Sequence, residues 1–143
     1  MSKIIFLILV ILISASFFFF KKPVSSKSLE INIKGQKFSL EIANSTISRT
    51  KGLSGRDSLC QHCGMIFIYQ KESIYPFWMK NTRIPLDIIW LDSNGKIVDI
   101  KTGQPQSLSV LKNSTPARYI IETNLSASNL SVGDIIKLPH DFN

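Results

Sequence analysis

Nothing in this chain of 143 residues repeats, and nothing in it gathers cations into a run. No internal repeat means no array of copied units. The formal charge is +7, but setting Lys3, Lys21 and Lys22 aside leaves 14 basic against 10 acidic side chains. Those cations are dispersed, so the chain carries no nucleic-acid footprint and none is expected as a partner. There are only two cysteines, Cys60 and Cys63, and two histidines, His62 and the remote His140. A structural metal site asks for four ligands, so these residues make a poor one, and no metal or cofactor is assigned. No cysteine lies just after the N-terminal apolar segment, which excludes a lipoprotein anchor.

That segment is the one long apolar run. Residues 4–20 are interrupted only by Ser14 and Ser16, and as a helix they reach about 25 Å. A hydrocarbon core of about 30 Å is slightly longer, a mismatch that flanking lysines and bilayer thinning absorb. A cleaved signal needs a small-x-small site. Ser14-Ala15-Ser16 would leave residues 17–20 in water, and Val24-Ser25-Ser26 follows two lysines. Three readings therefore stand, an uncleaved transmembrane anchor ahead of a cleaved signal peptide, with a buried core helix last. The lysines on both sides do not fix orientation. We divide the chain into a signal-anchor or signal peptide at 1–22, a linker at 23–28 and a single β domain at 29–143. Roughly 120 residues suffice for one core. The domain is expected outside the cytoplasm, tethered to the membrane or secreted if the segment is cleaved.

Period-2 alternation dominates residues 29–138. Leu29, Ile31 and Ile33, then Phe38, Leu40 and Ile42, form a hairpin across Gly35. The alternation stops at Asn44-Ser45-Thr46, whose side chains cap a short helix that Gly52 ends. Extended segments are expected at 65–69, 77–82, 86–91, 97–102, 118–123 and 135–138. Asp92-Ser93-Asn94-Gly95 marks a hairpin, and 86–91 is apolar on both faces except at Asp87, so it reads as a central strand. The sum is an all-β domain of about eight short strands in a sandwich or jelly-roll-like barrel, with one short helix.

The run Phe77-Trp78-Met79-Lys80-Asn81-Thr82, together with Pro85-Leu86-Asp87, resembles the family known as domain of unknown function 192. Arg49, Gly52-Leu53, Arg56, Gly64-Met65-Ile66-Phe67, Ala117-Arg118, Glu122 and Gly133-Asp134 match it too, over about residues 29 to 138. The resemblance implies a compact all-β domain of jelly-roll type, often behind an export signal or anchor, and no established activity. Cysteines at positions 60 and 63 depart from the family pattern.

Candidate site residues come from the same stretches. Asp87, a carboxylate among apolar neighbours, must be paired, hydrogen-bonded or protonated. It is either a structural ion-pair partner or a group that orients a cation or acts as a base. Trp78 alternates with Lys80 and Thr82, opposite Phe77, Met79 and Asn81. An exposed indole there suits sugar rings or cations, and the alternative is a core tryptophan. Asn81 either binds or closes a turn. Arg49, Lys51 and Arg56 surround a glycine-bracketed loop that receives an anion or is a solvated face. The CxxC pair leads to a local disulfide, with redox catalysis, metal binding and free thiols behind it.

These residues name no reaction. The leading expectation is a binding module for a polar small molecule or cell-envelope group, using Arg49, Arg56, Trp78, Lys80, Asn81, Asp87 and Glu122. One alternative is a hydrolase with Asp87 and Glu122 as its two carboxylates. Another is a protein-interaction module built on a flat apolar patch.

Overall fold

A computed structural model of the protein describes residues 27–125 and 129–139. The expected anchor or signal at 1–22, and His140, lie outside them. Among the described residues no helix is long and apolar enough to cross a membrane.

Strands β1 (Ser28–Ile33) and β2 (Gln36–Ala43) pair antiparallel, with Ile33 opposite Gln36. Between them Lys34 and Gly35 take φ of 48° and 85°, the two positive values that a primed two-residue turn requires. Helix α1 (Thr46–Lys51) starts where Ser45 Oγ accepts the Ser48 N–H at 3.1 Å and Ser48 Oγ accepts the Ser45 N–H at 3.0 Å. This reciprocal cap satisfies two amide groups that the first turn leaves without partners. Gly52, at φ 49°, ends the helix.

Strand β3 (Cys63–Ser73) then runs parallel to β2. A parallel neighbour requires a crossover, which α1 and the loop at 52–62 supply. Strands β4 (Leu86–Leu91), β5 (Ile97–Gly103) and β6 (Ala117–Asn124) complete one sheet in the order β1-β2-β3-β6-β4-β5. The central position expected for residues 86–91 is found, since β4 has neighbours on both sides.

The all-β class with one short helix holds, but among the described residues the strand count falls from about eight to six. Of residues 77–82 only Phe77 pairs, in an isolated bridge to Leu111, and of residues 135–138 only Ile135, with Lys96. The cause at the first site is local. Asn81 takes φ 60° and the Thr82 N–H bonds the Met79 carbonyl at 3.0 Å, which turns the chain before a ladder can form. Nor do two sheets stack. All six strands share one sheet, and Ile31 and Ile33 of β1 lie in the same core cluster as Ile97 of β5. A twisted sheet that curls so far covers its own concave face.

The opposite face carries a second cluster with Phe67, Ile88, Trp90 and Ile120, covered by Leu53, Met79 and Ile84 from irregular segments. Trp90 is 0% exposed, and its indole Nε1 donates to the Tyr75 carbonyl at 3.2 Å. Phe77 meets both Phe67 and Trp90 edge-on, at ring separations of 4.9 and 6.0 Å. The polar loop after β5 is pinned by buried Asn113. Its Nδ2 donates to the carbonyls of Ser73 and Thr115, and its Oδ1 accepts the Tyr75 N–H.

Candidate functional site

Strand β6 places Glu122 opposite Met65 of β3 and Ile88 of β4. Directly opposed residues in a sheet share a face, so its side chain joins the face of Met65 and Ile88 that Leu53, Met79 and Ile84 cover. It is 5% exposed. A Cβ at Gly52 would lie 3.7 Å from Glu122 Oε2 and 3.4 Å from Phe67 Cζ, so the carboxyl reaches the end of the helix. Among the described residues no hydrogen bond or ion pair holds it, and burial alone pushes it up from 4.5 to about 8. The carboxyl is therefore mostly protonated at neutral pH.

Above it opens a cleft of about 520 Å³. Phe67 and Tyr69 of β3 form its sheet side, and Arg49, Lys51 and Gly52 come from α1 and its end. Trp78, Lys80 and Asn81 close the far wall. Arg49 is fixed by Nη1, which donates to the carbonyls of Asn44 at 2.9 Å and Ile68 at 3.0 Å, and its guanidinium lies 4.8 Å from the Tyr69 ring centre. Trp78 is 54% exposed, with Lys80 Nζ 5.2 Å from its ring centre. The Asn81 carbonyl accepts the Gly55 N–H at 2.8 Å, tying the glycine-bracketed loop to the turn. Burial also raises the Tyr69 phenol above its ordinary 10.0.

Five of the seven sequence-derived binding candidates thus meet in one cleft: Arg49, Trp78, Lys80, Asn81 and Glu122. Strict alternation over residues 77–82 would have set Asn81 across from Trp78 and Lys80. The turn at Asn81 breaks the alternation and brings all three to one wall. Arg56 and Asp87 are elsewhere. Arg56 forms a two-pronged ion pair with Glu41, at 2.5 and 2.8 Å, which holds its guanidinium more firmly protonated. Asp87 accepts a hydrogen bond from Thr102 Oγ1 at 3.0 Å.

The register separates the two carboxylates of the hydrolase alternative. Asp87 is opposite Thr123, whereas Glu122 is opposite Ile88. One residue of offset in a period-2 structure points their side chains to opposite faces of the sheet, so they cannot flank one scissile bond. Tyr69 and Phe67 are site residues that sequence reasoning missed. Their signal was the alternation of Met65, Phe67 and Tyr69 along β3, readable only once β3 and β6 are known to be neighbours.

Cys60 and Cys63 form a disulfide with Cα atoms 5.1 Å apart, and neither lines the cleft. Asn124 Nδ2 braces this loop by donating to the carbonyls of Leu59 and Cys60. The His62 ring packs 5.0 Å from that of Phe38. Among the described residues no group of three or more His, Cys, Asp or Glu side chains could hold a metal ion.

Residues 29–138 match the DUF192 family, described as an uncharacterized ACR. The chain belongs to this family. A UPF0127 protein of Thermococcus sibiricus is 31% identical over an alignment of 105 positions, which covers 68% of this chain and 64% of that protein. The match thus spans just under two thirds of the relative's length. Among solved structures, a protein of unknown function from Novosphingobium aromaticivorans is 29% identical with a TM-score of 0.73, over 81% of this chain and 89% of that one. A Sinorhizobium meliloti protein, named as a candidate transcription regulator, is 26% identical with a TM-score of 0.70, over 76% and 89%. DUF192 membership assigns no activity to the cleft.

Proposed function

We propose that this DUF192 member is a binding module for a small polar molecule, with the cleft above Glu122 as its binding site. The observation that carries this reading is Glu122 itself, a buried carboxyl at the cleft that no group among the described residues holds. Among the described residues no fully buried side-chain oxygen or nitrogen lacks a hydrogen-bond partner, so the carboxyl meets the solvent of the cleft, and a ligand that hydrogen-bonds it takes that solvent's place. The cleft volume of about 520 Å³ falls in the range of small-molecule sites, roughly 300–1,000 Å³. A thermal-shift screen of the purified full-length chain against envelope sugars, nucleotides, phosphates and divalent metals tests the proposal. At least one class is expected to raise the midpoint, because a ligand selective for the native state stabilises it. A midpoint that no class moves would sink the reading.

The domain works outside the cytoplasm, held there or delivered there by residues 1–22. Two observations favour this placement. Residues 4–20 are apolar, and the Cys60–Cys63 disulfide is a bond that persists in oxidising compartments. Alkaline phosphatase needs its own disulfides, so a C-terminal fusion of it to this chain is expected to be active in cells. An inactive but intact fusion would place the domain inside.

A further inference from the structure

Glu122 is the one carboxylate side chain among the cleft's described residues, and three cations accompany it. Among the described residues no ion pair engages Arg49, Lys51 or Lys80. One of these cations is held in place beforehand, Arg49 by two backbone carbonyls, while Lys80 lies over the exposed Trp78 ring. Cations fixed before binding lose less freedom when a ligand arrives, which favours affinity for a matching anion. The apolar edge of the same cleft comes from Phe67 and Phe77.

We infer, resting on the binding role proposed above, that the ligand is an anion that also carries hydroxyl groups, such as a phosphorylated or carboxylated sugar. Its charge meets Arg49, Lys51 and Lys80, its hydroxyl meets the Glu122 carboxyl, and its C–H face lies against Phe67 and Phe77. The distribution of charge selects this class. A cationic ligand would be repelled by the three side chains and would find no carboxylate among them to pair with. A neutral sugar would leave the three cations unused. At Glu122 a protonated carboxyl both donates and accepts, which is what a hydroxyl group asks of a partner. An inorganic anion could engage the cations but would leave Glu122 without a partner.

Titration calorimetry of the full-length chain with glucose 6-phosphate, glucuronate, glucose and inorganic phosphate tests the inference. One of the two charged sugars is expected to bind at least about tenfold more tightly than glucose or inorganic phosphate, the effect of one charge-assisted hydrogen bond. Which of the two is tighter identifies the anion as phosphate or carboxylate. Lys80→Ala, at an exposed position, is expected to weaken the charged sugar by about tenfold and leave glucose unchanged. Glu122→Leu should weaken the sugars and leave inorganic phosphate unchanged, and Glu122→Gln shows whether the fold tolerates a neutral residue there. Glucose binding as tightly as both charged sugars overturns the inference. So does silence of all four probes when another compound raises the midpoint, an outcome that leaves the binding role standing. Silence of the probes and of the whole thermal-shift screen overturns both.

Discussion

At pH 8 and above, Glu122→Gln is expected to be more stable than the parent chain, by on the order of 5 kcal/mol at most. The folded-state carboxyl ionises near 8 and the unfolded one near 4.5. Below about 4.5 both states hold the proton, and the group contributes no pH dependence. Between the two values the unfolded chain has released a proton that the folded chain keeps, so stability falls as pH rises. Above about 8 the loss is complete. The Gln side chain has no proton to release, so its profile lacks that falling limb. Urea unfolding of both chains from pH 4 to pH 9 reads the difference directly. Arg49, Lys51 and Lys80 line the same cleft and stay charged across this range, and Tyr69, whose phenol is raised by burial and also by the Glu122 charge, titrates above it. Parallel profiles would mean that the Glu122 carboxyl ionises normally, and the neutral hydrogen-bonding partner invoked for the ligand would be lost with it.

Gly64→Ala is expected to be the most damaging single methyl group in the sheet. The new Cβ would overlap the Glu122 carbonyl oxygen and lie 2.9 Å from Leu40 Cδ2. A side-chain tip can swing away, but the carbonyl is part of the β3–β6 ladder and moves only if the strands part. Overpacking usually costs about 1–3 kcal/mol, and a clash with backbone belongs at or beyond the upper end. Gly35→Ala is the comparison. Gly35 has nothing within 4 Å of an added Cβ and φ of 85°, so it should lose only about 1–2 kcal/mol from the left-handed conformation. Urea midpoints of the two variants decide it. A Gly64→Ala chain as stable as Gly35→Ala would show that close approach of β3 and β6 is not what glycine provides there.

Local signals in the sequence were reliable where structure depends on near neighbours. Asp92-Ser93-Asn94-Gly95 became the β4–β5 turn, with Asp92 Oδ1 accepting the N–H groups of Asn94 and Lys96. Ser45 capped the helix and Gly52 ended it. The apolar faces of residues 86–91 marked an interior strand. Residues 77–82 misled because alternation records only which side chains differ in polarity. It does not say whether a ladder partner exists, and here only Phe77 has one. For the same reason the core tryptophan is Trp90, while Trp78 stands largely in solvent.

The candidate site was half legible. Its cations and its tryptophan were visible as unusual choices within a short run, but Arg56 looked equivalent to Arg49. Only the fold reveals that Glu41 lies within reach of Arg56 and that backbone carbonyls hold Arg49. Glu122 and Asp87 were likewise interchangeable as acids until strand register put them on opposite faces. Pairing between strands distant in sequence decides such questions, and one chain read alone does not encode it in any short window.

The order β3-β6-β4 has a consequence for how the chain matures. The last of the described strands in sequence is an inner strand of the sheet, so β3 and β4 are not joined until residues 117–124 have been made. A chain still being synthesised, or cut short before Ala117, presents two open strand edges, each able to template pairing with another molecule. In a chain made from its N-terminus, the interval between the emergence of β4 and the arrival of β6 is when aggregation threatens most. The late insertion of one strand closes both edges at once.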